Sequence, residues 1–166
     1  MCFTVYIICA IALAGLVDPN YAANDDQKNV EIKSKKTSKL VGVDDLKPEQ
    51  VLSGKEGIGN TKWILVKVAT FGSQKHPIYV IEAKDNPELI WATKSESCED
   101  PEIMLVNKPQ VIQKSQRFPM ITKNQTSKIY SEQCGKDNCV SIDETSMEIN
   151  LNSGCYGDIE FNVIEN

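Results

Sequence analysis

The segment "MEINLNSGCYGDIEFNVIE", residues 147–165, decides how the chain is read. Met147, Ile149 and Leu151 alternate with Glu148 and Asn150, and Ile159, Phe161 and Val163 alternate with Asp158, Glu160 and Asn162. A period of two gives each run one dry face and one wet face, the pattern of a half-buried strand, where a helix would need a period of 3.6. The residues between, "NSGCYG", are turn chemistry. The two runs are therefore read as a hairpin through residues 152–157, with Cys155 anchoring its loop.

The same vocabulary extends back to Gly59: "WILVKVATF", "PIYVIEA", "ELIWA", "EIMLVN", "QVIQ", "SKIYSE" and "VSI" are short apolar runs, separated by "FGSQKHP", "KDNP", "NKP", "RFP" and "GKDN". Trp63–Phe71 and Ile78–Ala83 are apolar on both faces, which places them centrally in a sheet. Short strands with frequent turn signals predict an all-β domain over residues 58–166, an antiparallel sandwich or meander barrel of about eight strands. No internal repeat is read in the sequence.

Residues 23–57 are polar and Lys-rich, as in "EIKSKKTSKLVGVDD", and are read as a flexible N-terminal arm with too few large apolar residues to bury itself. Within it "LKPEQVLSG" is a candidate short helix, with Pro48 at a first helical position and Gly54 as its stop. The "KSKK" charges are diluted by Asp25, Asp26, Asp44 and Asp45, so this stretch is read as a solvated tail. Phe3 to Val17 form an apolar run too short to span a bilayer, ended by Asp18 and Pro19 and followed by small residues at Ala22 and Ala23, so residues 1–22 are read as a secretory signal.

Removal of that leader would leave Cys98, Cys134, Cys139 and Cys155. An even set of four in an oxidising compartment predicts two disulfides. Zinc is disfavoured because "CGKDNC" has no second ligand pair and His76 is the only histidine. Redox exchange normally uses the tighter CxxC spacing. Loop closure contributes about 4 and about 3 kcal/mol for the consecutive pairing, against about 4 and about 2 for the nested one. These sums nearly agree, so three connectivities stay open and the consecutive one is preferred only slightly. Gly135, Asp137 and Asn138 are read as a tight turn.

The mildly acidic balance, a net charge of −5, speaks against nucleic acid. The chain has no GxSxG elbow, P-loop, HExxH or EF-hand pattern, and its one histidine lies beside Pro77 in what reads as an exposed turn. Glu96, Glu99, Asp100 and Glu102 crowd "ESCEDPE", which reads as a solvated loop or at most a weak Ca²⁺ site. Asn124, Gln125 and Thr126 form an N-x-T sequon, so Asn124 is a candidate glycan acceptor. Trp63 and Trp91 are read as core, with an internal ligand cavity as the alternative.

The resulting expectation is a secreted, non-enzymatic binding protein with no cofactor, no metal and no stable membrane insertion, whose partner is an extracellular protein or small ligand. Three alternatives accompany it: a barrel carrier of a small apolar ligand, a protease inhibitor presenting "CGKDNC" with Lys136, and a secreted hydrolase built on paired carboxylates.

Overall fold

The computed structural model describes residues 27–94, 98, 99 and 101–166. The expected signal segment lies outside these residues. Ten strands follow one another: β1 (Gln27–Ser34), β2 (Lys62–Phe71), β3 (His76–Ala83), β4 (Asn86–Thr93), β5 (Ile103–Asn107), β6 (Phe118–Lys123), β7 (Thr126–Ser131), β8 (Gly135–Ile142), β9 (Ile149–Ser153) and β10 (Phe161–Glu165). Six of them close on themselves, each antiparallel to the next in the ring β1–β2–β3–β6–β7–β10–β1. The fold is all-β, and of the two architectures expected the barrel is the one realised. Closure removes the sheet edges that an open sheet would leave exposed.

The remaining strands form hairpins at one end of this ring, β4 with β5 and β8 with β9. A third, less regular arm joins residues 40–43 to residues 51–53 through the pair Gly42↔Ser53. The three arms meet through the bridges Val51↔Met104, Glu102↔Asn150 and Ser53↔Glu148, and the amide of Ile149 donates to the carbonyl of Leu52 at 2.9 Å. Three similar units thus follow in sequence, 27–71, 76–123 and 126–165, each made of a barrel strand, an arm and a second barrel strand. The repeat escapes a sequence reading because it is kept in burial and not in identity. Trp63, Phe118 and Phe161 stand at or near the start of the second barrel strand of each unit, all fully buried.

Trp63 and Trp91 pack edge to face with ring centres 5.2 Å apart, and Trp91 meets Phe118 the same way at 5.9 Å. Both tryptophans are core, as expected. The Trp63 indole N–H donates to the carbonyl of Val41 at 3.0 Å. The indole nitrogen of Trp91 is buried without a partner among the described residues, a cost of about 1–3 kcal/mol that the surrounding ring contacts offset.

Several expectations need correction. The flexible arm is, from Gln27 onward, part of the barrel: β1 lies between β2 and β10, and Val30, Ile32, Val41, Val43 and Leu52 are all buried. Glu31 and Lys33 alternate with the buried residues, so the charge count that suggested a solvated tail masked a period-two strand. "LKPEQVLSG" forms no helix; its backbone turns at Pro48 and Glu49, and the Glu49 amide donates to the carbonyl of Leu105 at 2.8 Å. The expected 152–157 hairpin does not form either. β9 pairs with β8, while β10 crosses to β1 and β7, because its apolar face is needed to close the ring.

Candidate functional site

The structure joins Cys98 to Cys134 and Cys139 to Cys155. The two sulfurs of "CGKDNC" therefore reach separate partners. The segment is not a tight turn: the turn lies one step earlier, over residues 132–134, and Gly135 with φ +80° opens β8. Cys139 pairs across the sheet with Tyr130 and Asn152. An inhibitor-like protruding loop is thus replaced by strand.

A polar groove of about 450 Å³ lies on the third arm, lined by residues of β8, the loop after it, β9 and residues 156–158, the last following directly on the bridged Cys155. The loop after β8 is fixed by Asp143, whose carboxylate accepts from the amides of Thr145 (2.8 Å) and Ser146 (2.7 Å). Those amides, Ser146 first, hold Asp143 below the usual carboxylate range, so it is anionic and a poor proton donor. Ser141 donates to the side-chain oxygen of Asn150 at 2.7 Å, and both residues line the groove, where the Asn150 amide N–H₂ is left as a donor group.

Tyr156 is the groove's aromatic element and is 75% exposed. Its position is nevertheless defined. Its amide donates to Asn152 at 3.3 Å, the neighbouring Cys155 is bonded to β8, and its ring lies against Gly154. A Cβ on Gly154 would sit 2.5 Å from the ring's Cε2, and the residue's φ of +81° is one that side chains disfavour. Asp158 closes the other wall. It is 2% exposed, one carboxylate oxygen accepts from the Ser34 hydroxyl at 2.6 Å, and the other is buried with no partner among the described residues. That oxygen is enclosed by protein, so Asp158 contributes negative charge to the wall and offers a ligand no open acceptor there.

The residues singled out from sequence lie mostly elsewhere. Asn124 sits at the exposed tip between β6 and β7, where Asn124 (φ +51°) and Gln125 (φ +69°) form a two-residue turn and Lys123 pairs with Thr126. His76 is the first residue of β3 and is half-buried, with its ring 5.4 Å from that of Phe71, so it is not a free turn residue. Glu96 and Asp100 lie outside the described residues, while Glu102 pairs with Lys94. No group of three metal-ligating side chains occurs among the described residues. Tyr156, Asn150 and Asp158 were not found by sequence reasoning; the only local signal was the turn-rich "NSGCYGD", which by itself reads as a loop.

No family model matches the sequence, and no curated protein matches it. Solved structures do match it in shape. A salivary protein from Culex quiquefasciatus, of the Cysteine and Tryptophan-Rich (CWRC) family, superposes with a TM-score of 0.65 at 11% identity, over 87% of this chain and 98% of its own. A structure described as the BEL beta-trefoil gives a TM-score of 0.61 at 12% identity, over 89% of this chain and 98% of its own. The fold is that of a β-trefoil. A Polyporus squamosus lectin, solved with the human-type influenza-binding epitope Neu5Aca2-6Galb1-4GlcNAc bound, gives 0.62 at 12% identity, over 85% of this chain and 50% of its own. At these identities the likeness is one of fold. No helix among the described residues is long and apolar enough to cross a membrane.

Proposed function

We propose that the protein is a secreted, non-catalytic binding module that engages a glycan-bearing extracellular partner through the polar groove of its third unit. The observation that carries this reading is Tyr156, an exposed aromatic ring held against Gly154 and lining one groove with the polar side chains of Ser141, Asn150 and Asn152. A pyranose ring needs that combination: one apolar face to lie on an aromatic ring, and hydroxyls that require directional donors and acceptors. The lectin neighbour supports the reading by fold alone. Glu144 is paired with Lys36, but Asp143 and Asp158 leave the groove acidic, which favours a neutral or amino sugar over a sialylated one.

Two disulfides suit an oxidising extracellular setting, and so does a trefoil whose neighbours include a salivary protein. The test is a glycan array with the intact secreted protein, followed by titration calorimetry on the best neutral oligosaccharide. Tyr156→Ala should weaken binding at least ten-fold while leaving the unfolding midpoint within error. Absence of any saturable glycan, or equal binding by the Tyr156→Ala protein, would refute the reading.

A further inference from the structure

The outer wall of a barrel normally carries polar side chains, as Lys123 and Lys128 do here. One stretch of the wall departs from this. On β6 the core-facing residues are Phe118 and Met120, so Pro119 and Ile121 point outward, and on β7 Tyr130 points outward next to core-facing Ile129. Pro119 is paired with Ile78 of β3. These residues, with Phe71 from the end of β2, form an apolar groove of about 490 Å³ between the second and third units. It shares no lining residue with the polar groove.

Its mouth is polar and charged. Glu132 faces Arg117, with oxygen and nitrogen 3.7 Å apart. Arg117 lies outside the lining and offsets Glu132, which leaves the ammonium of Lys136, in the exposed first part of β8 and with no carboxylate partner among the described residues, as the uncompensated charge at the rim. Burial raises the Tyr130 hydroxyl above its ordinary pKa, which keeps it protonated and able to donate. The volume lies within the range of small-molecule sites, and apolar lining with few polar groups at one end is their usual chemistry.

We propose that this groove binds a small amphipathic anion, its acyl or aryl part lying along Ile78, Pro119, Ile121 and Tyr130 and its single carboxylate meeting Lys136 and the Tyr130 hydroxyl at the mouth. The apolar wall supplies affinity but cannot choose a head group; Lys136 sets the sign. The occupant is distinct from a glycan, and its site does not depend on the polar groove.

The test titrates the full, disulfide-bonded protein by calorimetry with decanoate and decyltrimethylammonium, each below its critical micelle concentration, and with decanol below its solubility limit. Decanoate should bind saturably in the millimolar range or tighter and about five-fold or more tighter than either other probe. That preference should shrink as salt is raised. Lys136→Met lies on the surface and should lower decanoate affinity about five-fold while leaving decanol unchanged. Ile121→Gln should weaken both, and Ile121→Ala, a milder change, should weaken both less. Absence of saturable decanoate binding, equal or tighter binding of the cation, or an unchanged response in either the Lys136 or the Ile121 variants would overturn the proposal.

Discussion

Replacing Ile32 by alanine tests whether the Lys-rich segment before Gly59 belongs to the folded body. In β1 this side chain is fully buried and is part of the main core cluster, with β2 on one side of the strand and β10 on the other. Removing three carbons from such a site combines lost transfer energy with a residual cavity, and isoleucine-to-alanine changes in packed cores cost about 2–5 kcal/mol. Ile32 has no route by which solvent could refill the gap, so about 3–4 kcal/mol is expected. With a urea slope of about 2 kcal/mol per molar for a domain of this size, the midpoint should fall by roughly 1.5–2 M. Equilibrium urea unfolding followed by tryptophan fluorescence reads this directly, since Trp63 and Trp91 are both fully buried. The neighbouring Lys33→Ala is the control and should move the midpoint by less than about 0.3 M. A change below about 0.5 kcal/mol for Ile32→Ala would mean that the segment is a solvated tail, and the barrel seam drawn here would be wrong.

Serine substitution of both Cys139 and Cys155 should cost about 3 kcal/mol from the sequence separation of 16 and should also abolish glycan binding, because the bridge holds the loop of Tyr156. Substituting Cys98 and Cys134 should cost about 4 kcal/mol for a separation of 36 but spare the polar groove, a difference that calorimetry and denaturation together would expose. Asn124→Gln should remove one N-linked glycan from protein made in a eukaryotic secretory host, read as a mass difference that glycosidase treatment of the parent reproduces; equal masses before and after treatment would exclude the site. The carboxyl of Asp143 has its folded pKa lowered below 3.8, so its contribution is fully present above the unfolded value and disappears as pH falls through the folded one. The stability difference between parent and Asp143→Asn should therefore be constant above about pH 5 and shrink below about pH 4 in urea midpoints, and a difference that persists at pH 2 would contradict the assignment.

The strands with one wet and one dry face were legible because their partners do not matter to the pattern: β9 and β10 announce themselves at Ile149, Leu151, Phe161 and Val163. Pairing was not legible. Which strand lies beside β10 is decided by where the ring closes, and nothing local to "DIEFNVIE" distinguishes β9 from β1 as its neighbour. β1 itself was missed because only Val30 and Ile32 carry its apolar face, and the charges around them dominate any composition window. The groove was illegible for a different reason. Tyr156 gains its role from Gly154 and a sulfur bridge, and Asp158 from Ser34, which is 124 positions away. Polar residues acquire function through such distant neighbours, whereas apolar ones reveal their role through spacing alone.

The barrel seam joins β1 to β10, and one of its ion pairs, Lys28 with Glu165, links residues 137 positions apart. Such a ring is assembled at a late stage, since the loop entropy of the longest connection must be met before its contacts form. A nascent chain would wait with β1 and β7 offering unpaired backbone until β10 emerges. Oxidation of Cys139 and Cys155, both within the third unit, could precede that moment and organise the last unit before the ring shuts.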